Sequence, residues 1–416
     1  MATLPIILFE DSSHFDLLPL TYTRPVWQLR AGIYTQLERW QQVLGQERWL
    51  GGKAYDYLAS RFDILPDPKE ACWVNGKFWP EEELLRLVNS LAPGQCYLSA
   101  DGEEVIAARF NPSILPPNSR GLITPAVVEE MGISVEKADL DCRGFRFPWD
   151  IFRLNAEAIA FDFPLATKSA PSANIQDPYT RIYGADNIYV APGVKVKAAI
   201  LNAEDGPMYL GPEVEVAEGA IIHGSHAFGA HTKVAMGAKL RGDSAFGPYV
   251  KVGGEVANSV IMGYSNKGHD GYLGNSVMGY WCNLGADTNT SNLKNNYAPV
   301  KVWHYPSGRF RETGLQFCGL IMGDHSKAGI NTMFNTGTVV GVSANIFGGG
   351  FPRTFIPSFA WGGSAGFSTF QPRKAFEVAE RVMARRGIEL DDLERAMLNR
   401  IFEDTAVHRR WEKAKG

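Results

Sequence analysis

The chain has 416 residues, enough for two or three domains, and carries a formal net charge of −4. Charged residues make up 21% of the sequence, so a broad basic surface for nucleic acid is not expected. Its five cysteines are scattered without a Cys-x-x-Cys pair, which argues against a disulfide framework and against a zinc site.

The first residues, MATLPIILFED, contain no basic side chain and reach two acidic residues after a short apolar run. This pattern favours a first core strand over a signal peptide. No apolar stretch of the sequence approaches the roughly 18 residues that are needed to span a bilayer. We therefore expect a soluble cytoplasmic protein that binds neither membrane nor nucleic acid.

Residues 1–163 are predicted to form an α/β domain, because strand patterns alternate with helix patterns. The predicted elements are a strand at residues 4–9, a helix over 34–44, a strand at 71–74, a helix after Pro80, a hairpin over 95–110 and a helix over 147–163. Ligands of α/β sheets bind beyond the carboxyl ends of the strands. Glu10, Asp11 and Asn75 would lie there.

A period of six residues organises the chain after a polar linker predicted at residues 164–186. The apolar positions of this period are Leu210, Val216, Ile222, Phe228, Val234, Leu240, Phe246 and Val252. A period of six fits neither a helix nor an ordinary strand. It is the signature of a parallel β-helix, in which each coil stacks its apolar rung on the next.

The same register returns from Met322 to Ile346, and it slips between the two runs, where the step from Leu273 to Met278 is five residues. The β-helix is predicted to occupy residues 187–364. Residues 365–416 are predicted to form two amphipathic helices. They would either cover the open end of the coil, where strand edges are unpaired, or contact a neighbouring subunit.

An α/β domain joined to a hexapeptide β-helix resembles the bifunctional uridyltransferase–acetyltransferase (GlmU) family of sugar-nucleotide enzymes. The likeness is closest over residues 263–296, GYSNKGHDGYLGNSVMGYWCNLGADTNTSNLKNN, where His269, Tyr272 and Asn292 match the family pattern. The segment LPLTYTRPVWQLRAGI resembles a divergent branch with a shortened nucleotidyltransferase domain. The resemblance implies a left-handed β-helix and a homotrimer whose acetyl sites lie between neighbouring coils.

In the β-helix, the resemblance implies that His269 is the catalytic base. An imidazole suits this role, because the acceptor amine must lose a proton as it attacks the thioester. The break in the hexapeptide register predicts that His269 is displayed on a loop, where Asp270 or a backbone carbonyl would orient the ring. The substrate-binding residues that the resemblance implies are Arg241, Tyr272 and Asn292. A family lysine near the sugar phosphate falls on Ala257 here, and Lys267 is expected to take over its role.

In the N-terminal domain, the sequence LFEDSSHFD stands where the family has a glycine-rich phosphate loop. Arg24 and Arg30 are therefore expected to bind nucleotide phosphates, because a guanidinium group can donate two hydrogen bonds to one phosphate. Asn75 matches a magnesium-binding Asp of the family but brings no charge. Either Glu10 or Asp11 would supply that carboxylate, and Asp11 is the predicted ligand of the Mg²⁺ ion that the resemblance implies.

The leading hypothesis is a cytoplasmic homotrimeric enzyme that transfers an acyl group, from acetyl-CoA or another acyl-CoA, to hexosamine 1-phosphate or its nucleotide. A second activity, uridylyl transfer from UTP, is predicted for the N-terminal domain. One alternative is nucleotidyl transfer alone, with the β-helix as a trimerisation scaffold. The other is a non-catalytic regulator that binds a sugar nucleotide, which the departures at Asn75 and at Ile330, near the implied coenzyme A site, would favour.

Overall fold

The computed structural model describes residues 4–46, 48–66 and 70–413. Two compact units divide the chain: the first contains Met1–Leu17, Thr23–Leu29 and Tyr34–Phe147, and the second contains Leu18–Tyr22, Arg30–Ile33 and Pro148–Gly416. Residues 1–3, which begin the predicted α/β domain, and residues 414–416, which end the predicted C-terminal helices, lie outside the described residues. The predicted domain limits at 163 and 364 remain predictions.

The first unit is built on a mixed six-stranded sheet. Its strands, in spatial order, are Leu50–Lys53, Ile6–Phe9, Ala71–Asn75, Val105–Phe110, Gln95–Ser99 and Ser134–Ala138. Ile6–Phe9 pairs in parallel with both of its neighbours and is fully buried, which explains its unbroken apolar run. Gln95–Ser99 and Val105–Phe110 form the predicted antiparallel hairpin.

Short helices surround this sheet. The α-helices of the unit are Ser13–Asp16, Gln36–Leu44, Ala59–Phe62, Glu82–Ser90 and Pro125–Met131. Helix Gln36–Leu44 begins where the Thr35 hydroxyl accepts from the Glu38 N–H and the Glu38 carboxylate accepts from the Thr35 N–H. This capping box satisfies two backbone donors, and so sets the start of the predicted helix.

The second unit is a left-handed parallel β-helix with three faces, which confirms the predicted fold class. The first face contains Ile188–Val190, Met208–Leu210, His226–Phe228, Ser244–Phe246, Val260–Gly263, Val277–Tyr280, Ile321–Met322, Val339–Val340 and Phe355–Ile356. The second contains Lys195–Val196, Glu215–Val216, Lys233–Val234, Lys251–Val252, Asn266–Lys267, Asn283–Leu284, Lys327–Ala328, Asn345–Ile346, Ala360–Gly363 and Gly366–Thr369. The third contains Arg181–Tyr183, Ile200–Asn202, Ile221–His223, Lys239–Arg241, Glu255–Ala257 and Tyr272–Gly274.

The predicted apolar rungs fill the interior of this β-helix. All eight positions from Leu210 to Val252 are at most 2% exposed, and the later run from Met322 to Ile346 is buried as well. The residues stack directly, since Val234 lies opposite Val216 on one side and Val252 on the other. Burial of the rungs therefore holds successive coils together.

Other elements of the second unit differ in detail from the predictions. The helix predicted over 147–163 is divided into Pro148–Arg153 and Asn155–Thr167. The long insertion after strand Asn289–Thr290 contains an antiparallel hairpin, Lys301–His304 with Arg309–Glu312. The α-helices at the end of the chain are Pro372–Ala384, Asp392–Asp404 and Arg410–Lys413.

None of the helices in the described part of the chain combines the length and apolarity required to cross a membrane. All five cysteines are buried and free of disulfides. Within residues 4–46, 48–66 and 70–413, no group of three or more His, Cys, Asp or Glu side chains is arranged to hold a metal ion.

Candidate functional site

The first unit brings Asp11 and Asn75 together at one edge of its sheet. Phe9 lies opposite Asn75 in the parallel pair of strands, so the residues that follow each strand meet. The Asn75 side-chain amide donates to Asp11 Oδ2 at 2.8 Å. The Lys77 ammonium contacts the same oxygen at 2.6 Å and Glu104 Oε1 at 2.9 Å.

This edge is a closed polar network. Asp11 and Lys77 are both buried. Burial by itself raises the pKa of Asp11, but the Lys77 charge and hydrogen bonds from Lys77 and Ser13 hold the pKa below its usual value. Glu10 is also buried and accepts from the backbone N–H groups of Val26 and Tyr55, each at 2.8 Å. The carboxylates are therefore satisfied by the protein.

Magnesium does not fit at Asp11 as the network is arranged. A magnesium ion requires oxygen ligands in near-octahedral geometry and usually retains several waters. Asp11 Oδ2 already accepts from an ammonium and an amide, and Oδ1 accepts from the backbone N–H and hydroxyl of Ser13. A dication beside the buried Lys77 charge would be repelled. Lys77 was not predicted, because its position two residues after the strand end does not by itself show that its side chain reaches Asp11.

Arg24 and Arg30, the two predicted phosphate ligands, belong to different compact units. Arg24 is half-buried, and its Nη2 donates to the Thr23 hydroxyl at 3.4 Å. Arg30 is buried and donates to the Ile33 carbonyl within the second unit. Of the two residues, Arg24 is the less buried.

Three of the residues implied for substrate binding meet on the third face of the β-helix. Arg241 donates twice to Glu255 Oε1, at 3.0 and 2.9 Å, and its guanidinium carbon lies 5.9 Å from the centroid of the Tyr272 ring. The Asn292 amide donates to the Tyr272 hydroxyl at 3.0 Å and to Asn275 Oδ1 at 2.8 Å. Arg241, Tyr272 and Asn292 therefore form one connected polar surface.

Lys267 lies inside the β-helix at a rung position, directly opposite Val252. Its ammonium donates to the carbonyls of Gly253, at 3.1 Å, and His269. Burial lowers the pKa of Lys267 from its ordinary 10.5 to about 8, and the nearby Asp270 and Asp287 charges oppose this shift. Lys267 therefore supports the His269 backbone instead of lying open to a sugar phosphate.

His269 is exposed on the bend between the second and third faces. Its ring makes no hydrogen bond to another residue in the described part of the chain, so the expected contact from Asp270 is not observed. Its carbonyl is held by Lys267, which fixes the loop and leaves the imidazole free to meet a ligand. His269 and Tyr272 lie on either side of one corner of the coil.

The buried Lys267 amine predicts a pH dependence of stability. Between pH 8 and 10.5 the unfolded chain keeps a proton that the folded chain has released, so stability rises with pH over this window. Below pH 8 folding carries the full cost of burying the charge. Relative to Lys267→Met, the free energy of unfolding of the wild type should therefore rise by up to about 3 kcal/mol between pH 7 and 10.5. Denaturant titrations at several pH values measure this difference, and parallel curves would refute it.

A cavity of about 910 Å³ lies along the second face, and His269 forms part of its wall. Seven lysine or arginine side chains line it, against two glutamates: Lys195, Lys197, Lys233, Lys251, Lys327, Arg385 and Arg386, with Glu215 and Glu218. Val234, Ala235 and Trp281 provide apolar surface. This site was not predicted, although the sequence carries a signal for it: a lysine directly before the rung residue recurs at Lys195, Lys233, Lys251 and Lys327.

Comparison with known proteins finds similarities over parts of the chain. Residues 6–170 match the model of the sugar nucleotidyl transferase family. The chain is 40% identical over 87 residues to the bifunctional protein GlmU of Methanocaldococcus jannaschii, a match that covers 21% of each protein. It is 36% identical over 95 residues to a bifunctional sugar-1-phosphate nucleotidylyltransferase/acetyltransferase of Sulfurisphaera tokodaii, covering 23% of each.

The chain thus spans about a fifth of the length of these curated relatives. Among solved structures, the polySia-specific acetyltransferase NeuO aligns with a TM-score of 0.27 and 13% identity over 47% of this chain and 85% of that one. The UDP-N-acetylglucosamine acyltransferase LpxA of Bacteroides fragilis aligns with a TM-score of 0.24 and 15% identity over 53% and 78%. The predicted resemblance is confirmed: residues 6–170 match the model of the sugar nucleotidyl transferase family, and about a fifth of the chain is similar in sequence to GlmU-type bifunctional proteins.

Proposed function

We propose that this protein transfers an acyl group from acyl-CoA, with acetyl-CoA as the expected donor, to the amine of a hexosamine phosphate or its nucleotide. The observation that carries the proposal is the exposed His269 imidazole in the wall of a large basic cavity. About 910 Å³ falls within the usual range of small-molecule sites. The basic side chains that line the cavity suit the phosphates of an acyl-CoA donor, and the apolar side chains suit its aliphatic part.

In this reaction the acceptor amine attacks the thioester carbonyl, so a C–N bond forms and the C–S bond breaks. His269 accepts the proton that the amine loses, and the departing thiolate takes up a proton to leave as coenzyme A. Arg241, Tyr272 and Asn292 are proposed to bind the sugar phosphate, since they form a connected polar surface beyond the same corner. Lys267 is a positioning residue, because it acts through the His269 carbonyl.

We further propose that the enzyme is a cytoplasmic homotrimer, as the resemblance implies. The Sulfurisphaera tokodaii relative is a bifunctional sugar-1-phosphate nucleotidylyltransferase/acetyltransferase, which supports the pairing of two activities. For the first unit, uridylyl transfer from UTP is the proposed activity. The closed network of Asp11, Asn75 and Lys77 specifically favours a second candidate, binding of a sugar nucleotide without catalysis.

A single experiment separates these proposals. The purified full chain is offered acetyl-CoA or UTP, each with glucosamine 1-phosphate or N-acetylglucosamine 1-phosphate, and thiol and pyrophosphate release are measured. Thiol release with glucosamine 1-phosphate is the expected result. Pyrophosphate release alone would favour a nucleotidyltransferase with a scaffolding β-helix. Binding of a UDP-sugar without either product would favour the regulator.

The Arg24→Ala variant tests nucleotide binding by the first unit. Loss of a charge-assisted phosphate contact costs about 1.5–3 kcal/mol. UTP or UDP-sugar should therefore bind about ten- to a hundredfold more weakly by calorimetry, while acyl transfer is retained. Arg86→Ala is a suitable control, because Arg86 is exposed and pairs with Glu82 on a surface helix. Equal affinities of the Arg24 variant and the wild type would remove Arg24 from the site.

A further inference from the structure

Lys251 lies in a column of outward-facing side chains on the second face. It is directly opposite Lys233 in the neighbouring strand, where like charges repel. Lys233 is neutralised by Glu215 at 2.7 Å, whereas Lys251 has no carboxylate partner among the described residues. Burial lowers the pKa of Lys251, and the charges of Arg386, Lys233 and Arg385 lower it further.

Two arginines at the end of helix Pro372–Ala384 approach the same place. The helix ends with the Arg386 N–H donating to the Met383 carbonyl at 2.8 Å, and Gly387 follows with φ +68°, a conformation that favours glycine. The Arg386 guanidinium carbon lies 5.9 Å from the centroid of the Tyr249 ring. The partially negative C-terminal end of the helix stabilises both cations.

This cationic cluster, defined as Lys251, Arg385 and Arg386, has no carboxylate partner within residues 4–46, 48–66 and 70–413. Of the glutamates that line the large cavity, Glu215 is engaged with Lys233, which leaves Glu218. Glu213 lines a smaller cavity of about 160 Å³ beside Lys251 and Arg386. The excess of positive charge therefore remains for a ligand to neutralise.

The surroundings favour a small phosphorylated molecule over a polyanionic polymer. The cations line a bounded cavity together with Val234 and Trp281, and the whole chain carries a net charge of −4. A guanidinium group matches the geometry of a phosphate and can donate two parallel hydrogen bonds to two of its oxygens. Both candidate ligands, the acyl donor and the sugar acceptor, carry the phosphate group that such a site would bind.

We infer that Lys251, Arg385 and Arg386 form a phosphate-binding site that holds the nucleotide end of the acyl donor. The identity of the donor rests on the proposed function, whereas the binding of phosphate rests on the cluster alone. Helix Pro372–Ala384 then forms part of the binding site in addition to packing its buried Phe376 and Met383. His269 lines the same cavity, so a donor held here would extend its thioester toward that side chain.

The test measures binding of three probes by calorimetry to the full chain: coenzyme A, adenosine 3′,5′-bisphosphate and glucosamine 1-phosphate. Arg386→Ala should weaken binding of the first two about tenfold, and the Arg385→Ala/Arg386→Ala double variant up to about a hundredfold. Arg386→Lys, which keeps the charge, should recover part of the loss. Arg381→Ala, an exposed arginine on the same helix outside the cavity lining, is the matched control.

Unchanged affinity of the double variant for coenzyme A and for the bisphosphate would overturn the inference. So would a loss confined to glucosamine 1-phosphate, or an equal loss in Arg381→Ala. An Arg386-dependent affinity for the bisphosphate in a protein that acylates no hexosamine phosphate would support the phosphate site and reject the proposed function. Unaltered thermal melting of each variant confirms that the fold is intact.

Discussion

His269→Ala is expected to lower kcat for acyl transfer by about 10²–10⁴-fold, the usual contribution of a positioned general base. The imidazole lies in the wall of the basic cavity and has no hydrogen bond to another described residue, so its removal breaks no contact that holds the fold. Acyl-CoA affinity should change little, because the base meets the acceptor and not the donor. Initial rates at saturating donor, with calorimetry for coenzyme A, give both quantities.

A comparison between two exposed histidines sharpens this test. His223→Ala is a matched control, because His223 is also exposed but contacts Asp205 at 3.2 Å and does not line the cavity. Near-normal kcat in His269→Ala would exclude His269 from the mechanism.

Val234→Asp is expected to abolish the folded β-helix. Val234 is 2% exposed and lies between Val216 and Val252 in the stack of rungs, so a carboxylate there would be flanked by apolar side chains. Burying an unpaired charge costs several kcal/mol or more, a large part of the stability of a typical domain. We expect aggregation or a strongly lowered melting temperature, measured by circular dichroism and sedimentation.

Met236→Asp provides the control for this substitution. Met236 is two residues away on the same coil and 75% exposed, so its replacement places the same charge in solvent. Its melting temperature should remain close to that of the wild type. A Val234→Asp protein that melted like Met236→Asp would contradict the inward position of the rungs.

The sequence by itself determined those parts of the fold that repeat locally. The apolar residue at every sixth position predicted the β-helix, because each six-residue repeat turns one apolar side chain into the interior of the coil. Likewise, the unbroken run at Ile6–Phe9 predicted a strand buried on both faces. The meeting of Asp11 and Asn75 followed from a general rule, since the carboxyl ends of parallel strands share one edge of a sheet.

Only the tertiary structure decided what each candidate side chain contacts. Lys77 neutralises Asp11, although the local sequence pattern does not predict this contact. Lys267 occupies a rung position at which the six-residue period predicts an apolar residue. The cavity joins Lys195, Lys233 and Lys251 to Arg385 and Arg386, which are more than a hundred residues away along the chain. Periodicity fixes which way a residue faces within its own element. The partner it meets depends on how distant elements pack, and the charge balance and access of a site arise from that packing.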